Sequence, residues 1–374
     1  MTKIQKPVFY KSETDLPRGI KKVDAMESAT RELFFIENPT IRKDNPNLKN
    51  LQEKYISEKN IEGVWVYYPW HKIAVHIPPE DIYFRLRTAR NRDLITEKEQ
   101  RVYRNAVVGI AGLSVGSSIL STVVMTGGPK TIKIADPDFI EITNLNRIRA
   151  KLTDVLENKT HVAAREVWEL DPFADLHMWD KGIQKDELET FVSGKPKLDV
   201  FIDEMDNIEM KIRSRLVCRE LGVPVVMATD NGDGLILDVE RHDLEKKYPI
   251  FHGNIEEKEL KSSDPGQFIK MAVRIIDPAY FTERQQQSIL QIGKTLPSVA
   301  QLGTAATVAG AAVAYAVRRI ANKEHLPSGR YVVGFEGSVI KDYWSTEKKE
   351  KRWKKTVEFS KIFGITPQKP PFNA

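Results

Sequence analysis

Residues 105–147, NAVVGIAGLSVGSSILSTVVMTGGPKTIKIADPDFIEITNLNR, constrain the fold of this chain more than any other stretch. An apolar run ends in the turn Gly112-Leu113-Ser114-Val115-Gly116. A helix of small residues follows, then a second apolar run that stops at Asp136-Pro137-Asp138, then the loop Asn144-Leu145-Asn146-Arg147. A strand feeding a tight turn into a helix, with a second strand alongside, makes a βαβ unit. The helix N-terminus of such a unit offers free amides to a phosphate, and its second strand ends in a carboxylate for a ribose. Gly109, Gly112 and Gly116 depart from a strict G-x-G-x-x-G spacing, so the glycines alone are a weak signal. Asp136, 24 residues after Gly112 at the end of the next strand, strengthens it. Chemistry on a nucleotide is expected, ATP foremost.

The rhythm on either side sets the architecture. Apolar strand-like runs at 106–112, 131–136, 199–203 and 223–228 alternate with helical stretches at 117–125, 159–170 and 208–221. In the second of these helices Ala163, Val167 and Leu170 share a face, with Asn158 placed as N-cap. The expected class is α/β, a Rossmann-like, mostly parallel sheet with helices on both faces, together with a small N-terminal α+β domain. That domain is assigned to residues 1–100 and contains a hairpin over 63–77, interrupted by Pro69. His71 and His76 lie in the hairpin without a carboxylate or cysteine at ligand spacing and are read as ordinary strand residues.

The nucleotide-binding domain is assigned to 101–335. Within it, 230–296 is rich in acids, glycine and proline and reads as an excursion over the sheet edge. An Ala/Gly-rich helix over 297–321, suited to a buried or subunit-interface position, and a returning strand over 330–337 complete the domain. Residues 336–374 form a basic tail with one solvated helix.

Composition excludes several classes. With 57 basic and 52 acidic residues the chain is near balance, which implies no dedicated nucleic-acid surface. Cys218 is the single cysteine, so an intramolecular disulfide and a multi-cysteine zinc site are both excluded, and a reducing, cytoplasmic setting is expected. The first residues lack an apolar signal core. The longest small-apolar run, 299–317, carries Gln301, Thr304 and Thr307 and is followed by Arg318 and Arg319, which speaks against a membrane span.

Three other readings compete for the glycine turn. Gly112-Leu113-Ser114-Val115-Gly116 also spells the G-x-S-x-G nucleophile elbow of a hydrolase, with Ser114 as nucleophile and His242, His252 or His325 as its base. That reading leaves Asp136, Asn144, Arg147, Lys159 and Asp206 without a role. An NAD(P)-dependent oxidoreductase would use the same Rossmann turn. A nucleotide-binding interaction module without turnover would keep the pocket alone.

In order along the chain stand the glycine turn, Asp136-Pro137-Asp138, Asn144-Leu145-Asn146-Arg147, Lys159, Asp171-Pro172 and Asp203-Glu204-Met205-Asp206-Asn207. Over roughly residues 85–335 this series resembles the ThiF/MoeB/HesA adenylyltransferases, relatives of the ubiquitin-activating enzymes. The resemblance implies an ATP- and magnesium-dependent enzyme that turns a carboxylate into an acyl-adenylate and releases pyrophosphate. It implies that Gly112, Ser114 and Gly116 line the phosphates and that Asp136, with Asp138 beside it, meets the ribose. Asn144 and Arg147 would face the triphosphate, Lys159 would neutralise the departing pyrophosphate, and Asp206 would hold magnesium. Arg90, in Ala89-Arg90-Asn91, matches an arginine that the family supplies from a partner subunit, so a homodimer is implied.

The chain departs from the family where zinc-holding C-x-x-C pairs are common, and no zinc is expected. It also has no cysteine in 230–296, where thioester-forming members carry one. The acid implied is a small molecule, a peptide or the C-terminus of a small protein. Residues 1–85 match the place where other branches clamp a peptide. A base-modifying role on tRNA, known among relatives, stays open, although the basic tail does not argue for it.

Overall fold

The computed structural model describes residues 4–257 and 268–368. Parts of the expected N-terminal domain (1–3), excursion (258–267) and basic tail (369–374) lie outside the described residues.

The chain opens with β1 (Val8–Tyr10), β2 (Lys21–Asp24), α1 (Met26–Glu37), α2 (Leu48–Lys59), β3 (Val64–Tyr68) and β4 (Ile73–Ile77). These strands form a four-stranded sheet in the order β1-β3-β4-β2. β3 and β4 are the expected antiparallel hairpin, with Val66 opposite Val75 and Pro69 in the turn. Strand alternation sends Trp65 and Ala74 to one face and Val66, Tyr68 and Ile77 to the other, so each side has its own small core. After α3 (Glu80–Arg87) and α4 (Glu97–Asn105) the main sheet begins. Thr96 and Glu99 close a reciprocal capping box at the start of α4.

The main sheet comprises β5 (Val107–Ala111), β6 (Thr131–Ala135), β7 (Asp175–Trp179), β8 (Val200–Asp203), β9 (Val225–Asn231), β10 (Gly234–Glu240) and β11 (Gly329–Val333). Its order is β11-β10-β9-β8-β5-β6-β7, parallel from β9 to β7 and antiparallel at β10 and β11. Helices α5 (Val115–Met125), α6 (Lys159–Leu170) and α11 (Gly303–Ala321) cover one face, where Ile110, Ile134 and Ile202 meet Ile119, Val167 and Val313. The other face packs Ala111, Phe201 and Val225 beneath α7 (Leu188–Ser193) and α8 (Ile208–Leu221). A third cluster joins β9 and β10 to α9 (Phe268–Ile276), α10 (Glu283–Ile289) and, beyond the short α12 (Glu336–Val339), α13 (Thr346–Phe363). No helix among the described residues is long and apolar enough to cross a membrane.

Three elements differ from expectation. β7 is an edge strand, DLHMW, only half buried, so its apolar signal is thin. β10 falls inside the expected excursion but is a fully buried strand, and the departure from the sheet starts only after Glu240. Its Leu235, Leu237 and Val239 face the first core while Asp238 and Glu240 are also buried, held by Arg330, His252 and Arg215. The tail helix is solvated on one side only: Thr356, Phe359 and Ser360 are buried, and Phe359 packs on Phe281.

The order of strands decides where a ligand sits. The chain runs outward from β5 to β6 and β7, then returns across the sheet to β8 on the opposite side of β5. Beyond the carboxyl ends of β5 and β8 this reversal leaves a crevice with no connection running over it.

Candidate active site

β5 delivers its last residue, Ala111, to the rim of that crevice, and the chain then turns sharply at Gly112. Gly112 has φ +92°, its N–H donates to the Ala135 carbonyl at 2.8 Å, and a Cβ there would stand 2.2 Å from the Glu204 carbonyl oxygen. Only glycine fits both the left-handed backbone and the close approach. The turn aims the N-terminus of α5 at the crevice. Ser114, in the N-cap position, makes no side-chain cap bond, so the first amides of α5 have no side-chain acceptor there. Uncapped amides at the positive end of a helix are suited to a phosphate.

β6 brings Asp136 beside the turn. Its Oδ2 accepts the Leu113 N–H at 2.6 Å and its Oδ1 accepts the Asp138 N–H at 2.9 Å, so the carboxylate braces the glycine turn while keeping lone pairs for hydroxyl donors. Burial pushes its pKa above the ordinary carboxylate value, against the pull of Lys159 and the two amides. The Lys159 Nζ lies 2.8 Å from Asp138 Oδ2 and 3.8 Å from Asp136 Oδ1. Asn158 caps α6 by accepting the Thr160 N–H at 2.9 Å, which makes Lys159 its first helical residue. A lysine there is repelled by the helix dipole and is itself buried, so the position is favourable only with anions close by.

The loop after Phe139 carries the second cation. Asn144 Oδ1 accepts the Glu141 N–H at 3.0 Å and tightens a 3-10 turn over Ile142–Asn144. Arg147 then reaches back: its Nε donates to Ser114 Oγ at 3.1 Å and its Nη1 to Asn146 Oδ1 at 2.9 Å and Thr143 O at 3.2 Å. Its guanidinium is thus tied to the mouth of the α5 N-terminus. Gly116 lies in the first turn of α5.

The structure brings Gly112, Ser114, Gly116, Asp136, Asp138, Lys159, Asn144 and Arg147 to one rim. Asp206 stands on the same sheet edge, exposed, in the loop between β8 and the Asn207 cap of α8. Asp203 shapes that loop: it accepts the Met205 N–H at 3.2 Å and is itself held by Arg215 and by Lys211 at 3.2 Å. Arg90 is not brought there. It is exposed, in a 3-10 turn (Ala89–Asn91) whose Asn91 donates to the Thr126 carbonyl at 3.1 Å, beyond the C-terminus of α5. The 11 residues of α5 put that turn about 16 Å from the glycine turn.

Among the described residues none of the three histidines serves the elbow reading as a base: Ser114 faces Arg147, His242 is paired with Glu240 at 3.1 Å and His252 with Asp238 at 2.7 Å, both at β10, and His325 follows the C-terminus of α11, whose opposite end, Gly303, is the one beside Asn146. Among the described residues no group of three His, Cys, Asp or Glu side chains is disposed to hold a metal ion by itself.

Two carboxylates on this rim were not singled out from the sequence. Glu204 follows β8 and accepts the Ala228 N–H at 2.8 Å; burial holds its pKa well above the usual value, and the charges of Asp203 and Asp230 add to the effect. Asp230, near the end of β9, is pushed up to about 6 by burial, against the Gln301 hydrogen bond and the Arg147 charge. Its surroundings, Thr229-Asp230-Asn231-Gly232-Asp233-Gly234, read as a turn, yet an acid ending a parallel strand, as Asp136 does, was the available signal.

Residues 88–354 match the ThiF family. Over 269 residues the chain is 37% identical to an uncharacterized protein of Mycobacterium tuberculosis (strain CDC 1551 / Oshkosh), a match covering 71% of this chain and 37% of that protein. It is 26% identical over 135 residues to tRNA threonylcarbamoyladenosine dehydratase 1 of Saccharomyces cerevisiae, covering 36% of this chain and 32% of that one. The chain thus spans about a third of the length of these curated relatives. Among solved structures it is similar to E. coli MccB crystallised with ATP, with a TM-score of 0.47 and 20% identity over 81% of this chain and 78% of that one.

Proposed function

Because this chain belongs to the ThiF family, we propose that it is an ATP- and magnesium-dependent adenylyltransferase that activates a carboxylate. The observation that carries the reading is the convergence of Arg147, Lys159 and Asp136 around an uncapped helix N-terminus at the sheet's switch point. That arrangement suits a triphosphate above the turn and a ribose against Asp136.

A carboxylate oxygen attacks the α-phosphorus, a new P–O bond forms, the bond to the β-phosphate oxygen breaks, and pyrophosphate leaves with the electron pair. Attacker and target are both anionic, so the main task of the protein is charge compensation. Arg147 lies over the phosphate turn, and Lys159, already buried between Asp136 and Asp138, compensates charge on the departing group. Magnesium, when bound, supplies further compensation. Asp206, an exposed carboxylate on the same edge, would hold it together with phosphate oxygens, in keeping with the few protein ligands magnesium uses. Asn144 completes the triphosphate side.

No protein nucleophile takes part in this scheme. Cys218 is buried, with its thiol pushed up by burial, which supports release of the acyl-adenylate or its capture by an external nucleophile rather than an enzyme thioester. Arg90 completes the site from a second copy of the chain in a homodimer, and the N-terminal sheet holds a peptide or small-protein substrate. A cytoplasmic setting fits the single thiol.

The test is ATP–pyrophosphate exchange over a panel of amino acids, peptides and small-protein C-termini. Exchange with one class, abolished by Asp206→Asn, is the expected result. ATP binding without exchange across the whole panel would favour the interaction-module reading instead.

A further inference from the structure

Asp230 stands on the rim with one oxygen unaccounted for. Its Oδ2 accepts the Gln301 amide at 3.2 Å, while Oδ1 is buried and has no hydrogen-bond partner among the described residues. The residue is only 7% exposed. Buried carboxylate oxygens in folded proteins have donors, and one without a donor is costly enough to need a reason. The neighbouring strand end adds a second, half-buried acid, Glu204, whose carboxyl is held well above the usual value by desolvation and, to a lesser extent, by the charges of Asp203 and Asp230, against Lys211. The cation acting on Asp230 is Arg147, and Arg147 is already committed to Ser114, Asn146 and Thr143. Arg147 thus has little left to offer Asp230 Oδ1, and the cation acting on Glu204 is a different one, Lys211.

Asp230 is tied to the loop that carries Arg147: the Gln301 side-chain amide donates to Asp230 Oδ2, and the Gln301 carbonyl accepts from Asn146 Nδ2 at 2.9 Å. The cover over Asp230 is slight. Gln301 belongs to the segment leading into α11, where residues 297–300 are exposed, and its bond to Asp230 is long for an amide donor.

We infer that Asp230 is a specificity-determining residue, and that the acid activated here carries a basic nitrogen next to its carboxyl group, as a free α-amino acid does. This rests on the adenylation reading above. An ammonium group meets the need of the pocket: it donates to the orphan Oδ1 and sets a positive charge against Asp230. A simple fatty or aromatic acid does neither.

The experiment compares two non-reactive acyl-adenylate mimics that differ in one ammonium group, 5′-O-(glycylsulfamoyl)adenosine and 5′-O-(acetylsulfamoyl)adenosine, by calorimetric titration of the full chain. At pH 7 the glycyl compound is expected to bind about 10-fold to 100-fold tighter, as a charge-assisted hydrogen bond in a buried site supplies. Asp230→Asn brings the ratio to about one. In the unaltered chain the ratio also falls toward one as pH drops from 7 to 5, because a protonated Asp230 no longer pairs with the ammonium, and this series decides the matter even if the variant does not fold. Equal binding of the two mimics at pH 7, or a preference that survives Asp230→Asn, overturns the inference while leaving adenylation standing. Failure of both mimics and of ATP to bind overturns the adenylation reading, and the inference with it.

Discussion

Lys159 and Asp230 show two ways in which a buried charge is set in this site. Lys159 starts a helix, the worst place on it for a cation, and is held there by Asp136 and Asp138. Its position was readable from sequence, because Asn158 marks the helix start and an acid pair ends the strand before it. Asp230 was not readable, because an acid between turn formers is ordinary in a loop, and its burial comes from distant segments, β8 and the lead-in to α11. Its stability effect has a definite sign. The folded chain holds the Asp230 proton up to about pH 6, against an ordinary value of 3.8, so the folded state binds more protons than the unfolded state between those limits. Asp230 therefore weakens the fold progressively as pH rises through that window, and the full penalty is present above it. Asp230→Asn should raise stability in urea unfolding by roughly 1–3 kcal/mol at pH 8 and leave it nearly unchanged at pH 4. The same gain at both pH values would contradict the account. Stability given up at a binding site in this way is common.

At the scale of elements, the β5-turn-α5 unit was the most legible because its signals agree: an apolar strand, a glycine where the backbone is left-handed, then small residues that let α11 approach α5. Gly112→Ala should cost at least about 2 kcal/mol and abolish nucleotide binding, since its Cβ would collide with the Glu204 backbone and push β5 from β8. Denaturant unfolding with ATP titration would show it, and a variant of unchanged stability would contradict the geometry. β10 was hidden for the opposite reason. Its alternate residues, Asp238 and Glu240, are polar, and only Arg215, Arg330 and His252, brought from three other elements, make their burial possible. α13 was read as solvated because its sequence is dominated by lysine, yet three residues of one face, including Phe359, suffice to dock it.

At the scale of the whole molecule, Asp171 of the Asp-Pro pair fixes where Arg90 lies. Its Oδ2 accepts from Arg87 at 3.1 Å and also from Arg104, pinning the segment around α3 and α4 to the corner after α6. The N-terminal sheet is fastened to the same corner, where the hydroxyls of Tyr68 and Tyr83 donate to the Trp168 and Leu170 carbonyls. Arg90 is thereby held at the far end of α5 from its own glycine turn, so the role proposed for it is in the site of another copy of the chain. Arg90→Ala and Asp206→Asn should each lose exchange activity, while an equimolar mixture recovers roughly a quarter of it, because mixed dimers contain one intact site. No recovery from folded, mixed dimers would contradict a role in trans. The arginine and its expected role across two copies were both legible as a motif, whereas its distance from its own glycine turn was not, since that depends on the whole fold.

The most direct measurement of the central claim is calorimetric titration of ATP with magnesium into the chain, its Arg147→Ala variant and its Lys159→Ala variant, with NADH as the competing ligand. One ATP per chain, with binding weakened at least about 10-fold in each variant and no NADH uptake, is the result predicted for a triphosphate cradled by these two cations. ATP binding indifferent to both substitutions, or NADH bound in its place, would contradict it.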